Sequence, residues 1–247
     1  IIEPDDENDK KLYLNELYKL IEKLYSSDTN SELPEWTNSF QILKEKQEEE
    51  KLQSDLEKAE RLRKKIEKER EKINAIKQYK LLLTETGTAL ENIIKQVLSE
   101  IGFILIKAER GRSDIIAKYK NTFIVAEIKG VTKSAAEKHA AQLEKWVSQF
   151  IEEKSTQPKA LLIVNAFKDT PVFERTEEVF PNQMLQYSTA REHTLVSTTQ
   201  LLCLYIDIKT NPDMKDELIT ELLSTIGVYN KYSNIEDYLQ PIAKDKN

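Results

Sequence analysis

The chain has 247 residues, 39% hydrophobic and 32% charged, with a net charge of −6, enough for one large domain or for one domain with an extension. It has no apolar run of about 18 residues and no basic start followed by an apolar stretch, so neither a membrane span nor a signal peptide is expected and a cytoplasmic location is. One cysteine and two histidines exclude an internal disulfide and a zinc-finger framework, and the acidic balance argues against a general high-affinity polyanion binder.

The first residue is Ile1 rather than Met, which points to something removed upstream. Residues 1 to 9 are acidic and expected to fray. From Lys10 to Tyr25, Leu14, Leu17, Ile21 and Leu24 recur at three and four, the stripe of an amphipathic helix. Ser26 to Pro34 reads as a loop. Trp36 and Phe40 read as packing residues at the start of the next helix, or as an exposed aromatic contact for a partner.

Between Leu43 and Tyr79 nearly every residue is a good helix former, Gly and Pro are absent, and Glu and Lys alternate in a way that supports an exposed helix. Such a helix would run about 50 Å. Leu52, Ala59, Ile66 and Ile73 repeat every seven residues, but the companions four residues on are Leu56, Arg63, Arg70 and Lys77, so half of a coiled-coil seam is missing. Two readings stand: a homodimer arm or partner-binding helix, and a solvated spacer. The expected organisation is therefore a helical, partly coiled-coil-like N-terminal region over 1–83 and an α/β domain over 84–247.

That domain opens with Thr88-Ala-Leu-Glu91, a capping-box pattern, then Ile93, Ile94, Val97 and Leu98, with Gly102 closing a helix over 88–101. Strands follow at 103–107, 114–119 and 122–128, then a helix over 134–153 with Ala136, Leu143, Trp146, Val147, Phe150 and Ile151 in period. Ala160 to Asn165 is an apolar run of buried-strand length. A helical stretch at 182–192, a short strand at 194–197, a second capping box at Ser197–Gln200 and a last helix over 214–227 complete the chain. Cys203 lies in the apolar stretch Gln200–Tyr205 and reads as a buried small hydrophobe.

The chemistry concentrates at Asp114 and at Glu127-Ile128-Lys129. Alternate residues of a strand share a face, so Glu127 and Lys129 project together while Ile124, Ala126 and Ile128 point the other way. A hairpin return brings Asp114 alongside, gathering two hard oxygen ligands and one ammonium, the ingredients of a Mg²⁺ site for phosphodiester cleavage. Between Lys107 and Lys133 seven basic residues face three acidic ones, a local balance of +4.

Asp114, twelve intervening residues and Glu127-Ile128-Lys129, set on helix, three-strand meander, helix and strand, resemble the PD-(D/E)XK, or restriction-endonuclease-like, nuclease superfamily over roughly residues 85 to 205. Ser113 stands where the name-giving proline would be. The resemblance implies an α/β core and a Mg²⁺-dependent endodeoxyribonuclease, with Mn²⁺ as a substitute, acting in restriction, phage defence or repair. It implies that Asp114 and Glu127 hold the metal with the carbonyl of Ile128, and that Lys129 orients the attacking water or offsets developing charge. Glu91 matches a helix glutamate that joins a second metal site in related enzymes, although its place in the capping box offers a purely structural role. Gln142, with Trp146 four residues on, is similar to the Gln-x-x-x-Tyr motif of RecB-like members. It would orient a phosphate or water, or else be an exposed polar residue. Lys133, Lys138, His139, Arg112 and Arg175 are candidate backbone contacts. DNA is the favoured partner and RNA the nearest rival; a non-catalytic helical scaffold with a nuclease-like domain is the alternative from another class.

Overall fold

The computed structural model describes residues 7–27, 33–107 and 113–242. The chain divides into two compact units, Ile1–Glu67 and Lys68–Asn247. Among the described residues no helix is long and apolar enough to cross a membrane.

In the first unit, α1 spans Glu7–Ser27 and a 3₁₀ turn follows at Glu35–Ser39. Trp36 and Phe40 sit in and just after this turn rather than in a helix, both exposed, with ring centroids 6.1 Å apart. Helix α2, Glu45–Gln78, begins in this unit and continues past its boundary. Its start is fixed locally: the Ile42 amide donates to Glu45 Oε2 at 2.9 Å, supplying the partner that first-turn groups otherwise lack. Leu14, Leu17 and Ile21 of α1 are exposed, as is every residue of α2 up to Glu67.

The second unit is built on a six-stranded mixed sheet in the order β1-β2-β3-β4-β5-β6. The strands are β1 Ile104–Ile106, β2 Ile115–Tyr119, β3 Thr122–Gly130, β4 Lys159–Asn165, β5 Thr194–Ser197 and β6 Gly227–Val228. The first three form an antiparallel meander, and β3 to β6 run parallel. Helices α3 (Leu81–Thr84), α4 (Gly87–Glu100), α7 (Thr198–Thr210) and α8 (Lys215–Ser224) pack on one face. Helices α5 (Glu137–Lys154) and α6 (Asn182–Thr189) pack on the other. Six of the seven residues of β4 are buried, as a strand covered on both faces requires. Each fully buried leucine there, such as Leu162, contributes about 2 kcal/mol through loss of apolar surface from water.

This unit reaches back past residue 84 because Leu82, wholly buried, belongs to the α4-side core. The end of α4 follows the expected pattern: Gly102 is left-handed at φ +102, and Phe103 N–H donates to Leu98 O at 2.9 Å. Its start does not. The helix begins at Gly87 with Thr86 as N-cap and no side-chain cap bond, so the Thr88–Glu91 box is not formed. The second box is half formed. Ser197 Oγ accepts from Gln200 N–H at 3.1 Å, but the Gln200 side chain turns away to clamp the backbone of Tyr232, donating to its carbonyl at 2.8 Å and accepting from its amide at 3.0 Å. The last helix stops at Ser224, and the residues after it add β6, a two-residue strand too short to show a period. Cys203 is fully buried, and burial pushes its thiol up to about 12.

Candidate active site

Strand β3 sorts its side chains by parity. Ile124, Ala126 and Ile128 enter the core beneath α4 and α7, so Glu127 and Lys129 face the α5 side. The β2–β3 register ends with Ile115 paired to Ala126, and Asp114 stands one residue beyond that pair. Asp114 Oδ2 accepts from the Ile128 amide at 2.7 Å, which fixes the carboxylate at the mouth of the hairpin.

Glu127 is only 1% exposed. Its Oε2 accepts a hydrogen bond from Trp146 Nε1 at 2.9 Å, and its Oε1 lies 2.5 Å from Lys129 Nζ. The Lys129 ammonium is therefore the charge partner of this buried oxygen. A surface hairpin salt bridge would leave such a carboxylate in water, and removing it costs several kcal/mol that a structural pair rarely recovers. Burial pushes both carboxyls up. For Asp114 the negative charge of Glu91 adds to the rise, against the Ile128 amide and the charges of Lys129 and Lys95. For Glu127 the charge of Asp114 adds to it, against Lys129 and Trp146. Acidic neighbours thus add to the effect of burial at both carboxyls, Glu91 at Asp114 and Asp114 at Glu127.

The glycine after Lys129 admits the neighbouring segment. A Cβ on Gly130 would lie 2.5 Å from Thr86 Cγ2 and 2.9 Å from Glu85 O. The segment leading into α4 therefore crosses the end of β3 in direct contact, and Asn165 Nδ2 secures it by donating to Glu85 O at 3.0 Å. Helix α4 then carries Glu91 and Lys95, which pair at 3.3 Å. Glu91 thus has neither the cap role, since Thr88 is not the N-cap, nor a direct bond to Asp114 among the described residues; it acts on Asp114 through its charge. Asp114 opens onto a cleft of about 400 Å³ bordered by Lys95, Lys107, Leu105 and Ile106.

Helix α5 supplies the rest. His139 is buried and its Nδ1 accepts from the Ala136 amide at 3.2 Å, leaving the proton of the neutral ring on Nε2. Burial, then the charges of Lys129 and Lys138, push its imidazole down. Gln142, one turn before Trp146, is exposed and makes no hydrogen bond to Asp114, Glu127 or Lys129 among the described residues. Lys133 and Lys138 are exposed; Arg112 lies outside the described residues. Arg175 is not available as a phosphate contact: it donates to Leu83 O at 2.7 Å, Thr170 O at 2.9 Å and Asn165 Oδ1 at 3.3 Å, bracing the chain before α4.

The residue that sequence reasoning undervalued is Trp146. Its helical period marks it as packing, yet its indole N–H is spent on Glu127; the only sequence signal was its place in the motif position of a hydroxyl-bearing tyrosine. Among the described residues no three His, Cys, Asp or Glu side chains gather into a metal-holding group. Asp114 lies near enough to Glu127 for its charge to act on it, and two carboxylates are the number by which Mg²⁺ is commonly held while keeping several waters. On Glu127 the Oε1 atom is held against the Lys129 ammonium and Oε2 against the Trp146 indole. Ile128 enters the site through its amide. No protein-family model matches the chain, and no curated protein matches it.

Proposed function

We propose that this chain is a metal-dependent nuclease that hydrolyses phosphodiester bonds, DNA favoured over RNA, with a core of the restriction-endonuclease-like, PD-(D/E)XK kind. The observation that carries it is the placement of Asp114 at the end of the β2–β3 ladder, accepting from the Ile128 amide between Glu127 and Lys129, which pair with each other on one face. The element order helix, antiparallel meander, helix, parallel strand supports it.

Asp114 and Glu127 would hold Mg²⁺, or Mn²⁺ in its place, with Glu91 and the carbonyl of Ile128 at the margin. Bound there, the ion supplies an activated water and offsets charge on the phosphoryl oxygens. Lys129 orients the attacking water and adds a positive charge where negative charge develops. Trp146 keeps Glu127 aimed at the strand mouth. Lys95 and Lys107 border the adjoining cleft and offer cations to the sugar–phosphate backbone, a local basic setting in a chain that is acidic overall. Gln142 stands exposed on α5, one turn before Trp146. Restriction, phage defence and repair are the processes such chemistry serves.

The test is incubation of the pure chain with supercoiled plasmid, linear duplex, single-stranded DNA and RNA, with Mg²⁺, with Mn²⁺ and with a chelator. Metal-dependent cleavage that falls by orders of magnitude in Asp114→Ala and in Lys129→Ala is expected. Cleavage of RNA alone would move the substrate class. Full activity in Asp114→Ala, or none on any substrate, would remove the assignment.

A further inference from the structure

Helix α2 carries an apolar stripe that the described residues leave uncovered. Leu52, Leu56, Leu62, Ile66, Ile73 and Ile76 are each between 46 and 68% exposed, and no residue of the helix is buried. With Leu52, Ala59, Ile66 and Ile73 at one heptad position, the companions three residues on are Asp55, Leu62, Glu69 and Ile76. Six of these eight places are apolar, so this frame gives a nearly continuous seam along a single helix, where the frame four residues on gives only Leu56. The two acids within it are already paired in their own helix, Asp55 with Lys58 at 2.9 Å and Glu69 with Lys72 at 3.0 Å.

The flanks of the seam specify the occupant. On one side stand Lys51, Lys58, Lys65 and Lys72; on the other Leu56, Arg63, Arg70 and Lys77. Seven of the eight are basic. Flanking positions face the partner helix in a coiled coil. A second copy would therefore set basic against basic, whether the helices ran parallel or antiparallel, and like charges so placed destabilise the pair. Within the helix Lys51 pairs with Glu48 at 3.8 Å, and Lys58 and Lys72 with the seam acids Asp55 and Glu69, but these pairs are exposed and offset little of this. The acids Glu57, Glu60, Glu67 and Glu71 lie on the opposite side, where they cannot cross to a partner. We infer that α2 is a docking helix for an amphipathic helix of another protein, apolar along one stripe and acidic on both flanks. This inference is independent of the nuclease reading.

The test titrates the full chain, by fluorescence anisotropy, with synthetic peptides about four heptads long. One has Ile and Leu on the seam and Glu on the flanks, one has Lys on the flanks, and one keeps the Glu flanks but has Ser on the seam. The Glu-flanked apolar peptide should bind at least about tenfold more tightly than either control, and added salt should weaken it. Replacing Arg63, Lys65, Arg70 and Lys72 together by Glu should transfer the preference to the Lys-flanked peptide; these side chains are exposed, so circular dichroism should show the fold unchanged. Equal binding of both flank types, binding of the Ser peptide, or no binding at all would overturn the proposal. So would a dimer of the chain that Ile66→Ser with Ile73→Ser dissolves, or binding of a short DNA duplex, but no peptide, that the fourfold Glu variant loses.

Discussion

Trp146 Nε1 donates to Glu127 Oε2 across 2.9 Å, joining helix α5 to the centre of strand β3. The bond holds one oxygen of a carboxylate that is 1% exposed, while Lys129 takes the other. Packing of α5 on the sheet and aim of the carboxylate are thus one arrangement. Trp146→Phe should retain most of the ring contact but lose the donor, at a cost of about 1–3 kcal/mol from the abandoned charged acceptor. Denaturant unfolding measures that cost. Weakened metal dependence of cleavage, with Trp146→His partly restoring it, would mark a positioning role; turnover unchanged in Trp146→Phe would leave the indole a packing group.

Glu91 separates a structural from a functional carboxylate. With no capping box to lose and only a partly exposed pair with Lys95, Glu91→Gln should change stability by no more than about 1 kcal/mol. If Glu91 contributes to a metal site, the concentration of Mg²⁺ giving half-maximal cleavage should rise at least about tenfold. An unchanged Mg²⁺ requirement would confine Glu91 to its ion pair.

Glu100 at the end of α4 sets an acid limb on stability. Burial pushes its carboxyl up, but hydrogen bonds from Tyr205, Gln96 and Tyr79 and the ammonium of Lys209 outweigh that and hold it at about 2, below its ordinary 4.5. A depressed folded-state pKa stabilises above the unfolded value and loses that contribution as pH falls through the folded one. Glu100→Gln should therefore lower stability at pH 7 by about 1–2 kcal/mol once solvent screening is included, and by progressively less between about pH 4.5 and 2. Urea unfolding of both chains at pH 7 and pH 3 reads the difference; a gap that stays constant with pH would contradict it.

Arg175 should behave as a brace. Arg175→Met removes donors to Leu83 O, Thr170 O and Asn165 Oδ1 and should cost about 2–4 kcal/mol. Affinity for a DNA duplex, measured well below the melting temperature, should be unaltered. A variant as stable as wild type but weaker in binding would return Arg175 to the nucleic-acid surface.

Much of this chain was legible because its signals are local. Strand period alone put Glu127 and Lys129 on one face of β3 and Ile128 on the other, and the absence of Gly and Pro with interleaved charge marked α2 within two residues of its ends. The run from Ala160 to Asn165 announced a strand covered on both faces. Tertiary structure decided what depends on register and on packing between distant segments. It set Asp114 against the Ile128 amide, turned Trp146 onto a carboxylate 19 residues away in sequence, and committed Arg175 to a carbonyl 92 residues away. It also moved the start of α4 to Gly87, which emptied the capping box that Thr88 and Glu91 spell out. A sequence pattern specifies which bonds a residue can make; which of them it makes is set by the nearest unsatisfied group once the sheet and helices have closed on each other.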